Sequence, residues 1–186
     1  MAKKRLPTQD EAAIGLKIAA ANAREMLDSA DLVAAGQLFG QAAALAVLAF
    51  EESVKSRTLA AVAVGGQHIA FTEDALSKII YSGHKERHTA GFYQHLFTEH
   101  PGIFSKALTG HQLKADEGTL VTELLELLDS ANRKKQAGFY TDFDPDSSSW
   151  GRPADITKAE FDNIRALAEA YQAETERQVQ NFPAGQ

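Results

Sequence analysis

The stretch LFGQAAALAVLAFEESVKSRTL, residues 38–59, decides the fold. Leu38, Ala42, Leu45, Ala49, Glu52, Ser56 and Leu59 recur at steps of three and four, the spacing that lines up one face of an α-helix. Ala42 to Phe50 is apolar throughout, more than one face can use, which points to a helix covered on several sides. Its alanines combine high helix propensity with small volume, so neighbouring helices can approach closely. The run is about half of the roughly 20 residues a membrane span needs. It reads as the central helix of a bundle, ending near Gly65-Gly66.

Upstream, Thr8 and Glu11 have the spacing of a capping box, and Leu16, Ala20, Ala23, Leu27, Ala30 and Ala34 mark a first helix over 9–35, with Gly36 permitting the turn. Downstream, Thr72 can cap a helix carrying Leu76, Ile79 and Ile80; Gly83 interrupts it, and 84–97 continues it or kinks. Pro101-Gly102 closes that region, and Ile103 to Lys114 reads as a short helical excursion or an irregular connection. Asp116 or Thr119 starts the next long helix, through Leu120, Leu124, Leu127, Leu128 and Ala131 toward Gln136. From Gly138 to Pro153 the text is turn-rich, acidic and aromatic, an ordered loop whose Phe139, Tyr140, Phe143 and Trp150 offer apolar surface to bury. Thr157 and Glu160 repeat the capping box ahead of a last helix with Phe161, Ile164, Ala168 and Tyr171. The expectation is an all-α bundle of about five main helices, one domain over 1–186, with flexible ends at 1–8 and 181–186.

Composition agrees with a packed globular chain. At 186 residues with 44% apolar and 24% charged residues, the chain can build a core without staples. Zero cysteines exclude disulfides and thiolate chemistry. Nothing resembling a secretory h-region follows the basic start Met1–Arg5, so a cytoplasmic protein without a membrane span is expected. Nineteen basic against 25 acidic residues give a net charge of −6, so nucleic-acid binding would need a local basic face.

Few residues offer chemistry. Glu51 and Glu52 break the apolar run, and an unpaired buried carboxylate costs several kcal/mol, so each must be exposed, paired or protonated. Lys55 stands four residues after Glu51 as its candidate partner, while Glu52 points along the Leu45 and Leu59 face. The plain reading is a polar layer in the bundle; the sharper one is a binding or catalytic carboxylate. His84 and His88 are one turn apart and can face one cavity, as polar packing or as ligands. Arg133, Lys134 and Lys135 suit the C-terminal end of a helix dipole, though Arg133 can also grip a phosphate or carboxylate, with Tyr140 and Asp142 following in the loop. No His-Glu-x-x-His, phosphate-cradling glycine loop, EF-hand or serine-hydrolase elbow appears, and no cofactor or metal is assigned.

The order Asn22-Ala23-x-x-x-Leu27-x-x-Ala30, Gly36, then Ala42-x-x-Leu45-Ala46-x-x-Ala49-x-Glu51-Glu52-x-x-Lys55 resembles the AbiV family of bacterial abortive-infection proteins. His84-Lys85, Arg133-x-x-x-x-Gly138-x-Tyr140-x-Asp142, Trp150 and Pro153 extend the likeness over about residues 12–170. The resemblance implies a HEPN-like helical domain and a role in defence against phage. Many HEPN ribonucleases carry Arg-x(4 to 6)-His, and this chain does not: Arg57 to His68 and Arg87 to His95 are spaced too widely, and Arg87-His88 is adjacent. The leading expectation is therefore an effector that acts through a phage or host protein, or by an undefined mechanism, using a polar pocket of Glu51, Glu52, Lys55, His84, His88, Arg133, Tyr140 and Asp142. The alternatives are a divergent ribonuclease, with His84 or His88 moving a proton and Arg133 stabilising phosphate charge, and a metal- or small-ligand-binding bundle. HEPN likeness also favours a homodimer.

Overall fold

The structure is a computed structural model that describes residues 5–65, 72–81, 84–144 and 148–182. Its α-helices in chain order are α1 Gln9–Ala35, α2 Phe39–Ala63, α3 Glu73–Tyr81, α4 His84–Glu99, α5 Pro101–Thr109, α6 Ala115–Phe139 and α7 Lys158–Gln180. A small antiparallel hairpin, β1 Asp142–Asp144 with β2 Ser149–Gly151, and a 3-10 turn over Pro153–Asp155 precede α7. The protein is all-α, and α2 is its centre, packed against α1, α3, α4, α6 and α7. Among the described residues no helix is long and apolar enough to cross a membrane.

The central place of α2 follows from its small residues. Ala42, Ala43, Ala44, Ala46 and Ala49 are all fully buried, because alanines on every side let several helices pack at once. Phe50, Val47 and Val54 fill the gaps with Leu27 of α1, Leu96 of α4, Leu124 and Leu128 of α6, and Ile164 and Tyr171 of α7. A second cluster joins Ala12, Leu16 and Ala19 of α1 to Leu59 and Ile80. Ser53 donates to Gln172 at 2.8 Å, and Gln172 donates to the Ala20 carbonyl at 2.8 Å, so the α1–α2–α7 contact keeps its buried polar atoms satisfied.

Both capping boxes form. The Thr8 hydroxyl accepts from Glu11 N–H at 3.3 Å and Thr157 from Glu160 N–H at 3.3 Å, while each glutamate accepts the cap residue's N–H. Thr72 likewise accepts from Ala75 N–H at 3.2 Å. Thr157→Ala should cost about 1 kcal/mol, a melting-temperature drop of roughly 2–4 °C for a chain of this size; an unchanged melting curve would show that the cap contributes nothing.

Several boundaries differ from the sequence reading. The left-handed residue between α1 and α2 is Gln37, φ 62°, while Gly36 has φ −82°. The segment after Pro101 is a helix to Thr109, closed by Gly110 at φ 69°. The next helix starts at Ala115, ahead of Asp116 and Thr119, because Glu117 accepts the Lys114 N–H at 2.8 Å. Helix α6 runs on to Phe139, taking the first two residues of the expected loop; the hairpin and turn lie within the rest, and Phe139, Tyr140 and Trp150 are 44%, 61% and 65% exposed instead of anchoring it. The reason lies at Gly138: a Cβ there would collide with the Gly40 carbonyl. That face of α6 is pressed against α2, and Phe139 and Tyr140, the next two residues, are turned outward.

The Gly83 interruption, the Gly66 end of the second helix and His68 lie outside the described residues, as do the outermost ends at 1–4 and 183–186. Nearer the core, Arg5 pairs with Glu11 at 2.6 Å and accepts a hydrogen bond from the Tyr81 hydroxyl at 2.8 Å through its carbonyl.

Candidate functional site

Glu51 sits on the buried side of α2 with no solvent exposure, at the meeting of α2, α4 and α6. Its carboxylate faces four basic side chains. On Oε1, Lys135 of α6 donates at 2.6 Å and His88 of α4 approaches through Nε2 at 3.1 Å. On Oε2 lie Nδ1 of His84 and, at 3.6 Å, Nη1 of Arg87. Arg87 also stands 3.6 Å from Glu52, and its Nε donates to the Ile79 carbonyl at 2.8 Å. One guanidinium thus spans both carboxylates and ties α3 to them.

The hydrogen-bond partners fix several proton positions. The Leu128 carbonyl, 2.9 Å from His88 Nδ1, can only accept, so that nitrogen carries hydrogen. His84 presents Nδ1 to a carboxylate, so this nitrogen donates; the ring is half-exposed, and Nε2 has no hydrogen-bond partner among the described residues. Burial pushes the Glu51 carboxyl up, but the hydrogen bonds from His88, Lys135 and His84 outweigh it and hold the group at about 2. Glu51 is therefore ionised at neutral pH. A buried, ionised carboxylate that orients an imidazole whose other nitrogen reaches solvent can support proton transfer. Among the described residues no group of His, Asp and Glu side chains is arranged to hold a metal ion.

Glu52 faces the other way, toward α1. Lys55 pairs with it at 3.2 Å and Asn22 donates to it at 3.4 Å. The expected Glu51–Lys55 pair is therefore not formed: Lys135 and the histidines draw the Glu51 carboxylate into the helix interface, and Lys55 reaches back one turn to Glu52. Both line an open groove of about 680 Å³ floored by Gly15, Ala19, Leu59 and Ile80.

The structure thus brings together Glu51, His84 and His88, with Glu52 and Lys55 joined through Arg87. Arg133 is elsewhere, 75% exposed and 3.5 Å from Asp129, and Tyr140 lies on the surface beyond α6, against Phe139. The backbone of Asp142 pairs with Gly151, and its side chain lies outside the described set. Two members of the cluster, Lys135 and Arg87, were missed as site residues. Lys135 had a signal: Leu124, Leu128, Ala131, Lys135 and Gly138 follow steps of four and three, which places the lysine on the apolar face.

A family model described as AbiV, of the HEPN class, matches residues 11–173 of the chain. No curated protein and no solved structure matches it.

Proposed function

The chain belongs to the AbiV family, and on that premise we propose that it is a bacterial abortive-infection protein, acting in the cytoplasm against phage through contact with a phage or host protein. The observation that carries the partner reading is the inward turn of the charged groups. Arg87 and His88 are each 8% exposed and Lys135 is 4% exposed, and all three are committed to Glu51 or to backbone carbonyls. The exposed Arg133 stands apart from them. Cations in those positions cannot close on an RNA phosphate without breaking the core. Exposed Tyr140 and Trp150 provide the amphipathic rings that protein interfaces favour.

A second reading has its own observation. His84 is half exposed and its Nδ1 is held by Glu51, the arrangement a divergent ribonuclease would need for proton transfer at Nε2. One experiment separates the two. On the partner reading, a bacterial host expressing the protein resists phage, H84A and wild type protect equally, and purified protein leaves RNA intact. RNA cleavage by wild type, lost in a folded H84A together with protection, would replace that reading with the nuclease.

A further inference from the structure

Six residues beyond Glu51 on α2, Arg57 is a charge without a countercharge. It is 8% exposed, and among the described residues no carboxylate stands within ion-pair distance. It donates from Nη2 to the Thr98 hydroxyl at 2.7 Å and lies over the Tyr171 ring, 5.5 Å from its centroid. Its other N–H groups meet no acceptor among the described residues. Among the described residues Gln94 Oε1 is the only fully enclosed side-chain polar atom without a partner, so the remaining Arg57 N–H groups keep contact with solvent. Glu99 and Glu174 act on the guanidinium from farther away, and Glu174 is already paired with Arg177 at 2.6 Å. Leaving a buried cation so poorly compensated is costly, unless something outside the chain supplies the negative charge.

The neighbours suit such a ligand. His95 stacks on the same Tyr171 ring, 5.9 Å between centroids, and His100 is 5.6 Å from His95. Both are half-buried, and neither imidazole hydrogen-bonds to a described residue. Arg57 and His95 thus share the Tyr171 ring as a neighbour and His100 adjoins His95, so three nitrogen-bearing groups from α2, α4 and the turn after α4 stand in one neighbourhood with donors unused among the described residues.

We propose that Arg57, His95 and His100 form an oxyanion site that takes a phosphate group. The guanidinium fork can bind two phosphate oxygens, and the imidazoles, taking up protons from solvent as the anion's charge favours imidazolium, can donate to the others. A tetrahedral phosphate presents more oxygens, in more directions, than a planar carboxylate, which suits donors that come from three elements. Burial and His100 push His95 below its ordinary value against the pull of Glu99, with Arg57 also lowering it; a bound anion favours the imidazolium and reverses that shift.

The test is an NMR titration of the full chain with inorganic phosphate, against chloride and sulfate at matched ionic strength, following the imidazole nitrogens. Phosphate should shift the His95 and His100 signals saturably, and His95 should titrate at higher pH when phosphate is bound. H95N/H100N should weaken binding about tenfold or more, the worth of one charge-assisted hydrogen bond. Since Arg57 is buried, R57M serves as a variant that removes the charge and keeps the bulk: its melting temperature should no longer rise with phosphate, whereas that of wild type does. Shifts that chloride reproduces, or undiminished binding by a folded R57M, would overturn the site. Equal binding of sulfate would overturn its assignment to phosphate.

Discussion

Glu51→Leu should destabilise the protein by roughly 3–5 kcal/mol, the cost of stranding a buried charge. Lys135 is 4% exposed and donates to Glu51 at 2.6 Å; with leucine opposite it has neither water nor a counterion. Arg87 and His88 lose the same partner. Lys135→Met should cost less, because the carboxylate keeps His84, His88 and Arg87. The double variant should cost less than the two single changes added together, since residues sharing a contact are coupled. Urea unfolding with unchanged slope measures each difference. The pH dependence follows the same carboxylate. Its value is about 2 in the fold against 4.5 ordinarily, so the folded state binds fewer protons than the unfolded chain in that window. The stabilisation is present in full above 4.5 and is lost as pH falls toward about 2, on the order of 3 kcal/mol in total. Glu51→Leu removes this contribution. Equal loss of stability on acidification in wild type and the leucine variant would show that the buried carboxylate is not held as described.

This cluster also marks the limit of what the sequence discloses. Helices α1, α2, α6 and α7 are legible because their apolar residues repeat at helical steps and two of them begin with a capping box; such signals are local. The Glu51 site is not local. It draws on α2, α4 and α6, so its two carboxylates and two histidines could be named as candidates while their partners could not. Lys55 is the nearest cation to Glu51 in sequence, yet Lys135, 84 positions away, takes the place. Arg133 and Lys135 look alike in the text, two steps apart in one basic run, and helical rotation sends one to solvent and the other to the core. The hairpin failed to register for a different reason: strands of three residues leave too short an alternation to read, and Phe139, Tyr140 and Trp150, which suggested a buried loop, are outside.

Two glycines of α6 should respond to the same substitution with opposite sign. Gly118→Ala meets no atom within 4 Å, so the gain in helix propensity should stabilise the protein by up to about 1 kcal/mol. Gly138→Ala gains the same propensity but places its Cβ on the Gly40 carbonyl and 2.9 Å from the Ala44 Cβ. What must yield there is backbone on α2, whose Gly40 is itself pinned against the Pro153 backbone. Overpacking of this kind costs about 1–3 kcal/mol or more, which exceeds the propensity gain, so the melting temperature should fall by several degrees. The displacement also has a destination. Lys135 is one turn before Gly138 on the same face, so pushing α6 away from α2 draws its ammonium from Glu51. Gly138→Ala should therefore weaken the acid-dependent loss of stability as well as lower the melting temperature, while Gly118→Ala leaves that pH dependence unchanged. If both alanine variants were stabilised alike, the close approach of α6 to α2 would be wrong, and with it the placement of Lys135 on Glu51.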